Sequence, residues 1–292
     1  LADYFVRRSE RTRCVILNTI KDACLVHQEL EQRFAVPNLF LLHGLMIPLH
    51  KKTAVSFVKS LLEQRSEPVN VVSTQLLEAG VNVSFEFMMR ALANLPSLVQ
   101  AGGRVNRHAV QADRPGQLLL FDFLRHGKTE TRSYIYDRRH GKLTDDLLAR
   151  QEEWTESEIE RLISKYYEGL FRLSRHEAKL DAIRSAFSGN WPKLAEYEPF
   201  GGDIFRLPLF IPWTASESMQ PHVPDIYRKL QEELEIETPE QIYEHYRDRR
   251  ERRERHAEER KWSILFYHHV LNLPVRAALQ YASKDDYLEN RI

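Results

Sequence analysis

The sequence has 292 residues, which is long enough for two domains that each bury a core of their own. Its 42 lysines and arginines balance its 42 aspartates and glutamates, so no global field draws the protein to nucleic acid or membrane, and any polyanion site must be local. Two cysteines without metal-ligand spacing, and no apolar run of roughly 18 residues, are typical of a soluble cytoplasmic protein with reduced thiols and no membrane partner. Since a signal peptide and an initiator methionine are both lacking, we expect a piece of a longer chain.

Apolar runs alternate with helical periodicity through the first 125 residues. The predicted strands are Cys14–Leu17, Asn38–His43, Val71–Gln75 and Gln117–Phe123. The helices predicted between them are Lys21–Phe34, Leu49–Gln64 and Pro96–Arg107. Short strands separated by helices imply crossover connections, so the pattern predicts an α/β domain with a mainly parallel sheet.

The alternation of strand and helix patterns ends at about residue 140. Thr155–Leu173 is predicted as one long amphipathic helix, and Asp225–Val270 is mostly helix-forming with a restart at Pro239. Between them, Phe200–Trp213 predicts a loop with one or two short strands. We therefore expect a first domain over residues 1–140, followed over residues 141–292 by a linker and a mainly helical accessory domain with a small β element.

A polar segment, Thr74–Asn82, follows the strand predicted at Val71. Ligands bind at the carboxyl ends of the strands in open parallel sheets. Gly80 permits a tight turn or a close approach to a phosphate, and Thr74 and Gln75 offer donors and acceptors to a nucleic-acid backbone. An ordinary turn at the end of a strand explains the same residues equally well.

A second polar segment, Gln100–His108, carries Arg104 and Arg107 three positions apart. On a helix this spacing places both guanidinium groups on one face. Arginine stays charged and binds phosphate oxygens in a bidentate manner, so it can stabilise the charge that develops during phosphoryl transfer. The alternative is an exposed helix face with ion pairs, but the combined spacing of the two segments favours the functional interpretation.

The two segments resemble motifs V and VI of superfamily 2 helicases. Their residue patterns are most similar to those of the CRISPR-associated helicase-nuclease of type I interference systems. The patterns are Ser-Thr-Gln-Leu-Leu-Glu-Ala-Gly followed by Gln-x-x-Gly-Arg-Val-Asn-Arg-His. Cys14–Ala23 resembles the strand and helix start that open the second motor lobe in that family. The resemblance covers roughly residues 10 to 125.

The resemblance implies a second RecA-like lobe of an ATP-driven translocase that moves 3′ to 5′ on single-stranded DNA. It implies ATP with Mg²⁺ as the cofactor, bound mainly by a first helicase lobe. It also implies as partners a metal-dependent HD nuclease domain and a crRNA-guided surveillance complex that marks the DNA to be degraded in antiviral defence.

Three groups of site residues follow from the resemblance. The catalytic group, which faces or senses the ATP phosphates, is Gln100, Arg104 and Arg107. The nucleotide-binding group is Gly80, Asn82 and Gly103. The group on the DNA track is His43, Thr74 and Gln75, and we expect no metal site.

The sequence departs from the family pattern in three ways. Asn82 stands where the family usually has Asp, and Leu42–Leu45 replaces a common His-Ser-Arg sequence, which puts the contacts of His43 in question. Neither a Gly-x-x-x-x-Gly-Lys-Ser/Thr loop nor an Asp-Glu-x-His/Asp box occurs, and no paired His-Asp nuclease motif occurs either. Nothing in the sequence therefore holds the β- and γ-phosphates or Mg²⁺, and we expect negligible ATP hydrolysis by this chain alone.

The second half offers weaker candidates. Arg247–Lys261 is typical of a solvated helix with internal ion pairs rather than a nucleic-acid contact. His268 and His269 lie in an apolar stretch, so packing is favoured over metal binding. The apolar, proline-rich Phe205–Trp213 is expected either to fill the core of its own domain or to dock on the motor lobe, and a partner-binding patch is the less favoured alternative.

Two other functions stay open from the sequence. The chain could act separately as a non-catalytic module that docks on the helicase or on the surveillance complex. It could also be the second lobe of another superfamily 2 helicase, because the paired-arginine motif occurs throughout that group.

Overall fold

A computed structural model gives the structure of the chain. It describes residues 1–78, 81–107, 116–125, 127, 129–173, 177–195, 205–247 and 256–275. Among these residues, no helix is both long and apolar enough to cross a lipid bilayer.

Five parallel strands form the central sheet, in the spatial order β2-β3-β1-β4-β5. Their bounds are β1 Thr12–Ile16, β2 Leu39–Leu42, β3 Val69–Ser73, β4 Phe87–Ala91 and β5 Gln117–Phe121. Every residue of β1, β3 and β4 is buried, as expected for strands with helices on both faces. The predicted α/β fold with a parallel sheet is therefore confirmed, although β4 was not among the predicted strands.

Alternate side chains of the central strand enter two separate cores. Cys14 and Ile16 share a cluster with Val58, whereas Val15 lies in the other cluster with Leu30. The helices of this part of the chain are α1 Ala2–Arg7, α2 Ile20–Gln32, α3 Pro48–Gln64 and α4 Leu95–Gly102. Because side chains in a strand point alternately to opposite faces, a continuous apolar strand fills both layers at once.

Helix α4 is shorter than the sequence suggested. It begins at an Asn94 cap whose side chain accepts a hydrogen bond from Ser97 N, and it ends at Gly102 rather than at Arg107. Gly103 follows as the C-cap, and the chain then forms a single parallel bridge between Val105 and Phe85. The prediction that one helical face carries both arginines is therefore wrong, because pairing with the segment before β4 replaces the last helical turn.

Smaller elements follow the sheet. They are β6 Leu124–Arg125, β7 Thr129–Glu130, α5 Arg138–Leu148, α6 Glu156–Leu173, α7 Glu177–Phe187, α8 Trp191–Ala195 and β8 Arg206–Phe210. Strands β6 and β7 form an antiparallel pair. A compact unit that contains Asp145–Leu209 begins inside α5, and within it α6 buries Leu162 and Tyr166.

The remaining elements are α9 Asp225–Glu233, α10 Pro239–Arg247, α11 His256–His268 and β9 Val270–Pro274, and β9 pairs with β8. The other compact unit consists of Leu1–Thr144 together with Phe210–Leu271. In this unit Leu230, Ile242 and Leu265 pack in one cluster with Ile47 and Leu49 at the start of α3. The partly buried Phe210, Ile211 and Trp213 complete that cluster, so this end of the apolar segment docks on the sheet domain.

Candidate nucleotide-binding site

The segment after β3 turns inward at the end of the strand. Thr74 is only 5% exposed, and its backbone N–H donates to Leu42 O at 3.1 Å, which continues the pairing with β2. Gln75 opens a single 3₁₀ turn, and its side-chain Nε2 donates to Asn18 O at 3.1 Å. The Thr74 backbone and the Gln75 side chain are thus engaged with the chain itself in this structure.

The arginine segment lies beside the connection that joins β3 to β4. Phe85 N donates to Arg104 O at 3.0 Å, and Asn106 N donates to Phe85 O at 2.9 Å. Gly116 makes this close packing possible, since a Cβ there would lie 2.7 Å from Val105 Cγ1. The two motifs that the sequence singled out therefore come together in space.

Arg104 is a half-buried cation with a spare donor. Its Nη2 donates to the backbone carbonyl of Glu78 at 3.1 Å. Its Nε is buried and has no hydrogen-bond partner among the described residues. Burial lowers the pKa of Arg104, and the nearby charge of Arg107 lowers it further, but an arginine remains protonated at neutral pH. An anionic ligand would satisfy this donor once the side chain turns to expose it, because Nε is buried in the present arrangement.

Arg107 is exposed and is held by the end of the first motif. Its Nη1 donates to Asn82 Oδ1 at 2.9 Å. Its backbone N–H donates to Ser84 Oγ at 2.9 Å. Asn82 thus keeps a binding role in spite of the missing carboxylate, because its amide oxygen accepts from the arginine.

The other expected residues of the site are less constrained. Gln100 is exposed on α4. A Cβ on Gly103 would meet nothing closer than 3.6 Å, so the fold itself does not require a glycine there. Gly80 lies outside the described residues.

A buried polar network next to this segment was not predicted from the sequence. Arg90, in β4, is fully buried, and its Nε lies 2.8 Å from a carboxylate oxygen of Glu78. Its Nη1 donates to Asn18 Oδ1 at 2.7 Å, and its Nη2 donates to Tyr136 Oη at 3.0 Å. Burial raises the pKa of Glu78, and the adjacent Arg90 charge opposes that rise. Asn18 and Glu78 lie in segments that resemble the helicase family, but no sequence signal pointed to Arg90 or Tyr136.

His43 lies apart from the arginine segment. It follows β2, and its backbone N–H lies 3.5 Å from Met46 Sδ. Burial lowers the pKa of its imidazole, and its Nδ1 has no hydrogen-bond partner among the described residues. No hydrogen bond within the described part of the chain joins His43 to Arg104 or Arg107, so its expected place on the DNA track stays a prediction.

The histidine pair near the C-terminus is buried within protein contacts. The Nδ1 atoms of His268 and His269 lie 2.7 and 2.9 Å from the carbonyl oxygens of Ile264 and Ile211. His269 Nε2 also lies 2.7 Å from Tyr227 Oη. Over the described ranges, no group of three or more His, Cys, Asp or Glu side chains could hold a metal ion. These contacts fit the packing interpretation.

The arrangement as a whole suits a polyphosphate. One guanidinium has an unsatisfied donor, a second is solvent-accessible, and both are held by backbone or amide oxygens rather than neutralised by carboxylates. Their positive charge is thus available to a ligand. Since the described residues place no acidic cluster beside them, these arginines are suited to bind the phosphates and not the Mg²⁺.

Comparison with known proteins points to one family. Residues 9–110 match the family described as CRISPR-associated nuclease/helicase Cas3, C-terminal. A Cas3 nuclease/helicase from Haloferax volcanii is 32% identical over 155 residues, and one from Methanothermobacter thermautotrophicus is 25% identical over 145 residues. These matches cover 46% and 49% of this chain and 16% of each relative, so the chain spans about a sixth of the length of these relatives.

Solved structures agree on the fold. The crystal structure of T. fusca Cas3-ADP matches 97% of this chain and 34% of its own, with a TM-score of 0.59 and 16% identity. The crystal structure of T. fusca Cas3-ATP matches 67% of this chain and 24% of its own, with a TM-score of 0.50 and 20% identity. The fold similarity therefore extends beyond residues 9–110 to nearly the whole chain.

Proposed function

We propose that this chain, a C-terminal part of a Cas3 nuclease/helicase, supplies the second RecA-like lobe of an ATP-driven motor on single-stranded DNA together with part of its accessory region. The observation that carries the proposal is the pairing of the two motifs. Arg104 donates a hydrogen bond to the Glu78 carbonyl, and Arg107 donates one to the Asn82 side chain. The reported relatives are all Cas3 proteins, which supports this family over another superfamily 2 helicase.

In this proposal Arg104 and Arg107 act as arginine fingers on ATP that is held mainly by a first lobe. ATP supplies the phosphoryl group, and Mg²⁺ on the first lobe would neutralise its charge. Arg104 would satisfy its buried Nε on a phosphate oxygen, while Arg107 approaches from the exposed side. Gln100, Gly80 and Gly103 would line the nucleotide.

The remaining parts of the proposal concern DNA and protein partners. We assign Thr74, Gln75 and His43 to the DNA track, where the strand ends of this lobe would face the single strand. Thr74 and Gln75 would have to exchange their present contacts for phosphates. The HD nuclease domain and the crRNA-guided surveillance complex would be the functional partners of the complete protein.

Arginine substitution in the full-length protein tests the motor function. Arg104→Ala and Arg107→Ala should each lower DNA-stimulated ATP hydrolysis by a factor of about 10³ or more, the range that arginine fingers contribute. The measurement is phosphate release with and without single-stranded DNA.

Arg33→Ala is the matched control, because Arg33 is an exposed arginine that pairs with Glu29 at the far end of α2. Loss of such a surface pair changes stability by less than about 1 kcal/mol, so turnover should be unaffected. Near-normal turnover in both site variants would overturn the proposal.

A second candidate, the non-catalytic docking module, is favoured by exposed apolar side chains in one compact unit. In the unit that contains α6, α7 and α8, several large apolar side chains are strongly exposed, including Phe171, Phe187 and Trp191 at 70%, 91% and 66%. Exposed apolar groups of this size are typical of interaction surfaces. If docking were the whole function, Phe187→Ser would impair interference in cells while Arg104→Ala would leave it intact.

A further inference from the structure

Arg90 is a charged residue in the middle of a completely buried strand. It is among the largest fully buried side chains of the described residues. Arginine is almost never fully buried unless it is paired, because the transfer of an unpaired charge out of water is strongly unfavourable. The contacts of the Arg90 guanidinium must therefore offset the cost of burying its charge.

The Arg90 guanidinium ties together the carboxyl ends of three neighbouring strands. Glu78 follows β3, Asn18 follows β1, and Ala91 ends β4, where its carbonyl accepts from Arg90 Nη1 at 2.8 Å. Strands β3, β1 and β4 are adjacent in the sheet. One planar group thus fixes the spacing of the turns that leave this edge.

A fourth contact reaches the chain after the sheet. Tyr136 Oη accepts from Arg90 Nη2 and lies 3.1 Å from Ser97 Oγ in the first turn of α4. Gln75 Nε2 lies 3.4 Å from the same hydroxyl. The network therefore includes the start of the helix that leads into the arginine segment.

The link to the catalytic arginine runs through Glu78. Its carboxylate is paired with Arg90, and its backbone carbonyl accepts from Arg104 Nη2 at 3.1 Å. Displacement of the turn that ends at Glu78 would move the carbonyl that accepts from Arg104. Arg104 has no other hydrogen bond from its guanidinium to the described residues, so this anchor largely determines its position.

We propose that Arg90 is a positioning residue for Arg104: it holds the Glu78 turn at the depth that places the Arg104 guanidinium for phosphoryl transfer. This inference rests on the proposed function. Lysine could not replace it, because one ammonium group on a flexible stem cannot reach Glu78, Asn18 and Tyr136 in the fixed geometry of the guanidinium fork. A displacement of about 1 Å can lower a rate by roughly 100-fold, so a small shift of Glu78 is enough.

Arg90→Lys in the full-length protein is the direct test. The turnover number for DNA-stimulated ATP hydrolysis should fall about 10- to 100-fold, while KM for ATP and the affinity for single-stranded DNA change less than about 3-fold. Arg13→Lys is the matched control, since Arg13 is a buried arginine near the amino end of β1, away from the Arg90 network. It donates to Asn70 Oδ1 and to backbone carbonyls. This control should lower the unfolding temperature comparably and leave turnover unchanged.

A double-mutant cycle separates positioning from general destabilisation. Arg104→Lys keeps a charge and residual hydrolysis, so its effect can be measured in both backgrounds. If Arg90 acts through Arg104, the double variant loses less than the product of the two single losses, whereas independent effects multiply. Glu78→Gln provides the same cycle in case Arg90→Lys does not fold.

The possible results distinguish the two proposals. Unchanged turnover in Arg90→Lys, or losses that multiply while Arg104→Lys alone impairs hydrolysis, would refute the positioning role and leave the motor function standing. Full activity of Arg104→Lys and Arg104→Ala would overturn both.

Discussion

Arg104 and Arg107 are held in different ways, and this difference bears on their roles. Arg104 is half-buried and rests on a backbone carbonyl, whereas Arg107 is exposed and rests on the side chain of Asn82. A backbone anchor cannot be removed by a single substitution, but the Asn82 anchor can. The hold on Arg107 is therefore the part of the site that evolution or mutation can adjust most directly.

Substitution of Asn82 tests that hold. Asn82→Asp should preserve ATP turnover, because a carboxylate oxygen accepts the same hydrogen bond from Arg107, which stays protonated. Asn82→Ala removes one hydrogen bond, typically about 0.5 to 1.5 kcal/mol, and should lower turnover about 2- to 10-fold. Steady-state hydrolysis by the full-length protein measures both variants. Equal activity in all three proteins would show that the Asn82 contact has no catalytic consequence.

The site residues differ in how visible they are from the sequence. Arg104 and Arg107 could be proposed as site residues because motif spacing along one segment carries their signal. Arg90 was not, since its charge interrupts the apolar run Phe87–Ala91, and its partner Glu78 becomes adjacent only through the parallel pairing of the sheet. The same charge explains why β4 was missed as a strand.

Among the elements, α4 shows where local pattern loses to tertiary structure. The sequence from Pro96 to Arg107 has helical character, but the helix ends at Gly102, and Asn106 adopts a positive φ of 44°. The hydrogen bonds between Phe85 and the arginine segment replace the missing turn. Helix starts were more predictable than ends, because caps such as Thr19 and Asn94 are local signals.

The histidine pair at the end of helix α11 makes the stability of the fold depend on pH. Burial lowers the pKa of His268 and of His269, and Lys52 lowers that of His268 further, while Glu240 raises that of His269 in part. Because both imidazoles titrate below their unfolded value of about 6.5, the unfolded chain takes up protons first as the pH falls. Stability is therefore full above pH 6.5 and decreases below it.

Denaturant unfolding at two pH values measures this effect. Each histidine kept neutral by the fold should cost up to about 1.4 kcal/mol per pH unit below 6.5. The denaturant concentration at the unfolding midpoint should be lower at pH 5.5 than at pH 7.5, with the m-value unchanged. The variant His268→Phe should show a smaller decrease. A midpoint independent of pH over this interval would contradict the burial of these two neutral imidazoles.

At the scale of the whole molecule, the sheet domain is extended by a later part of the chain. Helices α9 to α11 share a compact unit with Leu1–Thr144. The assignment of residues 141–292 to a linker and an accessory domain stays a prediction. The contact is made by Ile47 and Leu49, which looked like ordinary residues of a loop and a helix start. Amphipathic helices reveal that they have a buried face, but their sequence does not say which partner covers it.

The last prediction concerns the chain alone. The proposed second motor lobe should not hydrolyse ATP by itself, because its sequence contains neither a phosphate-binding loop nor an acidic box that would hold Mg²⁺. The isolated chain and its Arg104→Ala/Arg107→Ala variant should therefore release phosphate at the same background rate, with or without single-stranded DNA. Joined to a first lobe that carries those motifs, the two should differ by about 10³ or more. Arginine-dependent hydrolysis by the isolated chain would show that the nucleotide site is complete within these 292 residues and would overturn the shared-site proposal.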